Sequence, residues 1–119
     1  YDEGVDLLMN KDFIVEESHT IDYLIKKILF NSKRTVLVKS KNNKIIGTIS
    51  EGDILRSILQ KKNLNSPASK IMNKSFKYLI GEIEKKKAKK IFIKNNVNIL
   101  PVLTRDFRLI KLITLKDLF

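Results

Sequence analysis

The residues best placed to do chemistry are Ser50 and Asp53, in the stretch Gly47-Thr48-Ile49-Ser50-Glu51-Gly52-Asp53-Ile54-Leu55-Arg56. Ile45, Ile46 and Ile49 are β-branched, whereas Ile54, Leu55, Ile58 and Leu59 recur at helical spacing, so a strand runs straight into a helix here. The first N–H groups of a helix have no partner within it and lie at the positive end of its dipole, so an anion or a ribose hydroxyl can dock there. The Ser-x-x-Asp spacing suits a hydroxyl that meets a phosphate or ribose oxygen and a carboxylate that accepts hydrogen bonds from a vicinal diol. It equally suits a capping box, in which the serine caps the helix and the aspartate reaches back to it. Spacing alone leaves both readings open.

Composition narrows the chemistry. With 119 residues, 43% of them hydrophobic, the chain is long enough for one compact domain or two paired subdomains with a real core. It has no cysteine and a single histidine, His19, which removes thiol catalysis and cysteine-based metal sites and leaves no Ser-His-Asp arrangement or metal cluster in prospect. His19 precedes a helix start and reads as a solvated loop residue. Hydrolytic and redox catalysis therefore find little support. No apolar run is long enough to span a membrane and no signal-peptide pattern is present, so a cytoplasmic location is the default expectation. The 24 Lys and Arg against 13 Asp and Glu give a net charge of +11, which attracts phosphates of some kind without choosing among nucleotides, nucleic acid and anionic surfaces. Much of this charge lies in Glu84-Lys85-Lys86-Lys87-Ala88-Lys89-Lys90, which has no interleaved aromatic residues for base stacking and reads as the solvated face of a helix.

The elements that must position the Ser50 junction follow from periodicity. Val5 to Met9 forms a short apolar entry and Phe13-Ile14-Val15 a brief strand. Thr20 opens a helix whose apolar residues Ile21, Leu24, Ile25, Ile28 and Leu29 make one face. Thr35-Val36-Leu37-Val38 is a strand, Lys41-Asn42-Asn43-Lys44 a polar turn, residues 45–49 the next strand and residues 51–61 a helix. Asn63-Leu64-Asn65-Ser66-Pro67 is the most linker-like stretch. After it the pattern returns: Met9-Asn10-Lys11-Asp12-Phe13 reappears as Met72-Asn73-Lys74-Ser75-Phe76 at an offset of 63. At an offset of 64, Val38 matches Val102, Ile46 Ile110, Ile49 Ile113, Ser50 Thr114 and Asp53 Asp117. The second half is thus expected to place a strand at 76–79, a helix at 82–94, a strand at 99–103, a turn at Thr104-Arg105-Asp106 and a strand at 109–113. Each half presents one Ser/Thr-x-x-Asp junction.

These residues resemble the cystathionine-β-synthase (CBS) domain pair, or Bateman module. The likeness runs from Met9 to Phe119. It is carried by the two Met-Asn-Lys openings, by Asn96-Val97-Asn98-Ile99-Leu100-Pro101-Val102 entering a strand, and by the endings Gly47 to Asp53 and Lys111-Leu112-Ile113-Thr114-Leu115-Lys116-Asp117. The resemblance implies an α/β (α+β) fold of tandem β-α-β-β-α repeats, residues 1–62 and 63–119, packed with pseudo-two-fold symmetry around clefts for AMP, ADP, ATP or S-adenosylmethionine. By position, Ser50 and Thr114 would contact phosphate or ribose, and Asp53 and Asp117 the ribose hydroxyls. Residues near Phe13, Ile14, Thr35 and Val36 would hold one base, and Phe76, Tyr78, Ile99 and Leu100 the other. Arg56, one helical turn beyond Asp53, is placed either to reach a phosphate or to lie over the sheet as a surface arginine. Two departures set the second site apart. Lys111 stands where Gly47 stands in the first half, and the chain stops at Phe119, without a helix equivalent to residues 54–60.

Among such pairs the stretch from Gly47 to Arg56, the Leu100-Pro101-Val102 strand and Phe107-Arg108-Leu109-Ile110 look most like those fused to sugar-phosphate nucleotidyltransferases. The chain itself lacks the glycine-rich phosphate loop and clustered carboxylates of nucleotidyl transfer. The expectation is a non-catalytic regulatory module of a larger enzyme, metal-free, binding an adenine nucleotide and passing its occupancy to an attached catalytic domain. The non-methionine start at Tyr1 and the missing last helix both imply excision from something longer, and the apolar surface left by that helix implies a homodimer. A ligand-independent assembly module is the alternative, and a nucleic-acid binder, supported by charge alone, is the weakest reading.

Overall fold

The computed structural model describes residues 11–119; the expected apolar entry at Val5 to Met9 and the first Met-Asn opening lie outside them. By contacts the chain divides into two compact units, between Phe76 and Lys77. In the first, β1 (Ile14–Glu16) leads into helix α1 (Ile21–Phe30), then β2 (Thr35–Lys39), β3 (Ile45–Ser50) and helix α2 (Glu51–Leu59). The three strands form a sheet in the order β1-β2-β3, with β1 parallel and β3 antiparallel to β2. Thr20 caps α1, its hydroxyl accepting from the Tyr23 N–H at 3.3 Å. The helix turns Ile21, Leu24 and Ile28 into a core shared with Val15, Val36, Val38, Ile49 and Ile54. Leucine, isoleucine and valine at a 3.6-residue period on the helix and a two-residue period on the strands produce this face-to-face burial.

The second unit repeats the plan with β4 (Leu79–Ile80), helix α3 (Lys85–Asn95), β5 (Leu100–Leu103) and β6 (Leu109–Ile113), followed by a 3-10 turn, Leu115–Leu118. Its sheet order β4-β5-β6 has the same parallel and antiparallel pairings. The registers coincide at the expected offset of 64: Val36 pairs with Ile49 as Leu100 pairs with Ile113, and Val38 with Gly47 as Val102 with Lys111. Even the ladder irregularity recurs, between Val38 and Lys39 and between Val102 and Leu103. The seven residues that pack together as the second unit's main core cluster, Leu79, Ala88, Phe92, Leu100, Val102, Ile113 and Leu118, all have first-unit core counterparts at that offset. Where the residues differ they compensate: Ala88 replaces Leu24 while Phe92 replaces Ile28, so volume lost one helical turn earlier is regained in the next.

Several boundaries shift. The strand expected at 76–79 is Leu79–Ile80. Val15 and Leu79 both pair with the equivalent valines, Val38 and Val102, so the single inserted residue lies between Phe76 and Leu79, after the 63-residue match has ended. The helix expected from 82 starts at Lys85, the position equivalent to Ile21, after Gly81 has turned the chain with φ 74°. The linker-like stretch is docked on the first unit, with Ser66 and Leu64 carbonyls accepting from the Ile21 and Asp22 N–H groups, and Asn73 bridged to Thr48. That docking places the division between compact units well beyond residue 62. Among the described residues no helix is long and apolar enough to cross a membrane.

Candidate functional site

Strand β3 delivers Ser50 to the first residue of α2, and the two candidate chemistries of the Ser-x-x-Asp spacing meet there in one geometry. The Ser50 hydroxyl accepts from the Asp53 N–H at 3.3 Å, and the Asp53 Oδ2 accepts from the Ser50 N–H at 2.9 Å and from its hydroxyl at 3.1 Å. This is a complete capping box, so the helix-capping role is present in the fold itself. Arg56 donates to the other carboxylate oxygen, Oδ1. Its guanidinium is thereby held over the first turn, with the Asp53 side chain only 16% exposed and the Arg56 side chain 64% exposed. A carboxylate offers about four acceptor positions, and at Asp53 three of them are occupied, by the Ser50 N–H, the Ser50 hydroxyl and Arg56.

Thr35 is brought to the same place by register, as the cross-strand partner of Ser50. The loop before it is tied to α2, since the Arg34 carbonyl accepts from the Glu51 N–H at 3.1 Å and the Arg34 and Glu51 side chains pair at 3.9 Å. Arg34 adopts φ 55°, an unusual conformation for a residue with a side chain. The other residues expected beside a base are less available. Val36 is fully buried in the core, Phe13 is buried with its carbonyl accepting from the Leu37 N–H, and Ile14 is half-buried on β1.

In the second unit Thr114 and Asp117 repeat the pattern. The Thr114 N–H donates to Asp117 Oδ2 at 2.7 Å and its hydroxyl donates to the same oxygen at 3.1 Å, on a single 3-10 turn with Asp117 exposed. Ile99 and Leu100 are buried, as is Phe76 at the end of the first unit, while Tyr78 sits edge-on to Phe107 with ring centroids 5.0 Å apart. Phe107 holds φ 67° at the position equivalent to Asn43, which has φ 62°, so the two hairpin turns share their backbone path although one uses an aromatic residue in the left-handed region. At the same turn the Thr104 hydroxyl and the Arg108 guanidinium both donate to Asp106 and hold its carboxyl below the ordinary aspartate value.

The glycine at 47 has a different use from the one its place beside the junction suggests. A Cβ there would lie 2.8 Å from the Met72 sulfur and 3.0 Å from its Cβ, so the close approach that glycine permits is made by Met72 of the docked segment. Lys111, at the equivalent position opposite Val102, carries a side chain where Gly47 has none. His19 is also structural: its Nδ1 accepts from the Glu16 N–H at 3.0 Å and its ring lies 4.1 Å from that of Tyr23.

Asn31 is the residue that sequence reasoning passed over. It is buried at the end of α1, donating to the Asp12 and Thr35 carbonyls at 3.3 and 3.1 Å and accepting from the Lys33 and Arg34 N–H groups at 3.0 and 2.7 Å. One side chain thus satisfies three backbone groups of the loop that leads to Thr35 and ties that loop to the segment before β1. The signal was an asparagine closing an amphipathic helix just before a polar turn, the position where its amide folds back on the following backbone.

A family model described as the CBS domain matches residues 5–60 and again 68–119. The chain belongs to the CBS domain family. The first match takes in the repeat from β1 to α2 and the second the repeat from β4 onward together with the segment before it, making the chain a CBS pair. A CBS domain protein from Pyrobaculum aerophilum, solved in complex with AMP, superposes with a TM-score of 0.74 over 88% of this chain and 81% of its own at 20% identity. CBSX2, also solved in complex with AMP, gives 0.73 over 88% and 82% at 18% identity. In sequence, an uncharacterised 17.7 kDa protein of Acidianus ambivalens is 25% identical over 108 residues, 91% of this chain. The CBS pair spans 65% of that relative's length.

Proposed function

We propose that this CBS pair is a regulatory module that binds an adenine nucleotide at the Ser50–Asp53 junction and performs no chemistry of its own. The observation that carries the reading is the cluster of Thr35, Ser50, Asp53 and Arg56 at the start of α2, in a fold whose solved neighbours include two AMP complexes. Asp53 keeps about one acceptor position after serving Ser50 and Arg56, which suits a ribose hydroxyl. Arg56 has most of its donors left over for a phosphate, and the N-terminus of α2 favours negative charge. Capping and ligand binding are then compatible: the box preorganises the carboxylate that the ligand meets.

A thermal-shift panel of AMP, ADP, ATP, S-adenosylmethionine and GTP against the purified chain tests this. A ligand present at a hundred times its Kd stabilises by about 2.7 kcal/mol, a shift of several degrees for a chain of this size. At least one adenosine ligand is expected to give such a shift and GTP none. A flat response to every adenosine ligand at millimolar concentration would falsify the reading. Regulation further requires that the ligand bind two states of the module unequally, with the difference passed to an attached enzyme. Its assignment as a sugar-phosphate nucleotidyltransferase rests only on the family-like stretches at Gly47 to Arg56, Leu100 to Val102 and Phe107 to Ile110.

A second reading, assembly independent of ligand, has its own observation. An open groove of about 170 Å³ between α1 and α2 is lined by Ile25, Ile28, Leu29, Ile54, Leu55 and Ile58, with Arg34 and Glu51 also on its wall. Leu29, Leu55 and Ile58 are each roughly half exposed or more. A second copy turned about a two-fold axis would cover this groove with its own and set Arg34 against the partner's Glu51. Sedimentation at high micromolar concentration is expected to give a dimer with or without nucleotide, and Leu55→Lys a monomer. A monomeric wild type would reject this reading and leave the nucleotide site untouched.

A further inference from the structure

The charge of the chain is unevenly placed. Residues 77–119 hold eleven Lys and Arg against four Asp and Glu, and helix α3 alone holds six lysines and no acid. Compositional preference for lysine does not account for this, because the repeat supplies an internal control. Helix α1 has Asp22 in its first turn, paired with Lys26 at 3.8 Å, and a threonine cap. At the equivalent positions α3 has Lys86, Lys90 and Glu84, and its cap makes no side-chain hydrogen bond. Lys85, Lys86 and Lys87 stand at the positive end of the helix dipole, and the pairs 85–89, 86–90 and 90–94 set like charges one turn apart. Both arrangements oppose helix stability. Among the described residues none of the six lysines forms an ion pair. The counter-charge that the fold elsewhere provides from within is missing from this face.

We propose that the outward face of α3 docks on an anionic lipid surface. Ala88 and Phe92 face the core, which turns Lys86, Lys90 and Ile93 outward with Lys89 and Lys94 beside them. Ile93 is 75% exposed in the middle of this basic face. Lys89 lies 4.4 Å from the ring centroid of Phe119, itself 87% exposed. Basic residues flanking an exposed aliphatic and an aromatic side chain match a headgroup layer, where ammonium groups meet lipid phosphates and the apolar groups sink between them. A nucleic acid would leave Ile93 unburied, and α3 brings it neither arginine forks nor interleaved aromatic rings. A second copy would set the two lysine faces against each other.

Flotation with vesicles tests the proposal, using phosphatidylcholine alone, phosphatidylcholine mixed with phosphatidylglycerol, and a mixed-sequence DNA duplex as competitor, at physiological salt. The wild-type chain is expected to float with the phosphatidylglycerol vesicles only. Lys86→Asp recreates the Asp22–Lys26 arrangement with Lys90, so it should raise the melting temperature while weakening vesicle binding by about twenty-five-fold, at about fivefold for each of the two units of charge. Ile93→Ser should weaken vesicle binding severalfold and leave DNA retention unchanged. The proposal is overturned if the wild type ignores anionic vesicles, if Lys86→Asp leaves their binding unchanged, or if the duplex competes for the same face as tightly as the vesicles.

Discussion

Asn31→Ala should destabilise the first CBS unit by about 3 kcal/mol, because four backbone groups lose their partner and each hydrogen bond is worth about 0.5–1.5 kcal/mol net, more where a buried group is left unsatisfied. The side chain is 5% exposed in effect, so water does not replace it at once. The loop it holds carries Arg34 in the left-handed region and delivers Thr35 in register with Ser50. Loosening this loop therefore acts on the junction as well as on the core. A change of this size corresponds to a fall of about 10 °C in melting temperature for a chain of this length. Asn31→Asp separates the donor from the acceptor roles. It keeps acceptors for the Lys33 and Arg34 N–H groups but points a carboxylate at the Asp12 and Thr35 carbonyls, and it should cost at least as much as alanine. Thermal and urea denaturation followed by circular dichroism decide it. An alanine variant melting within a degree or two of wild type would show that the loop holds itself.

The repeat was legible in the sequence because its carriers are core residues whose identity burial restricts: Val38 and Val102, Ile49 and Ile113, and the Ser/Thr-x-x-Asp ends that must cap. The same restriction made the register of β3 and β6 readable to the residue, with Leu109–Ile113 found where it was expected. Helix α3 was harder to bound, since its run of lysines carries no capping signal and its burial rests on Ala88 and Phe92 rather than on a full apolar stripe. Three residues at 76–78 were assigned to a strand because the opening motif fixed their offset one residue short. A local match says nothing about where an insertion lies. The partnership of Gly47 with Met72 and the bond from Asn31 to the Asp12 carbonyl were not legible at all, for they depend on which distant segment folds back, and side-chain pattern does not encode that; the local bonds of Asn31 to residues 33–35 did carry a signal, an asparagine at a helix end. At the junction itself the sequence named the right residues but left two roles for them, and the structure shows that one of those roles, capping, is filled.

Asp53→Asn measures the other role. An asparagine presents one acceptor oxygen in place of two, so it cannot serve Ser50 and Arg56 together, and loss of the box should cost about 0.5–2 kcal/mol of stability. If capping were the only function, nucleotide affinity in the folded protein would stay where it was. With a ribose hydroxyl on the carboxylate, affinity should fall by roughly ten- to a hundredfold, because a hydrogen bond to a charged group is worth about 1.5–3 kcal/mol. Arg56 amplifies this, as its guanidinium loses the anchor that holds it over the helix start. Asp117→Asn is expected to do less. Its carboxylate is exposed on a one-turn 3-10 segment, where water competes for every bond, whereas the Asp53 side chain is largely enclosed. Calorimetry of both variants with AMP and ATP, beside melting curves without ligand, separates the roles. A lowered melting point with unchanged affinity at Asp53 removes the ribose assignment, and an equal loss of affinity at Asp117 would mean that exposure does not rank the two junctions.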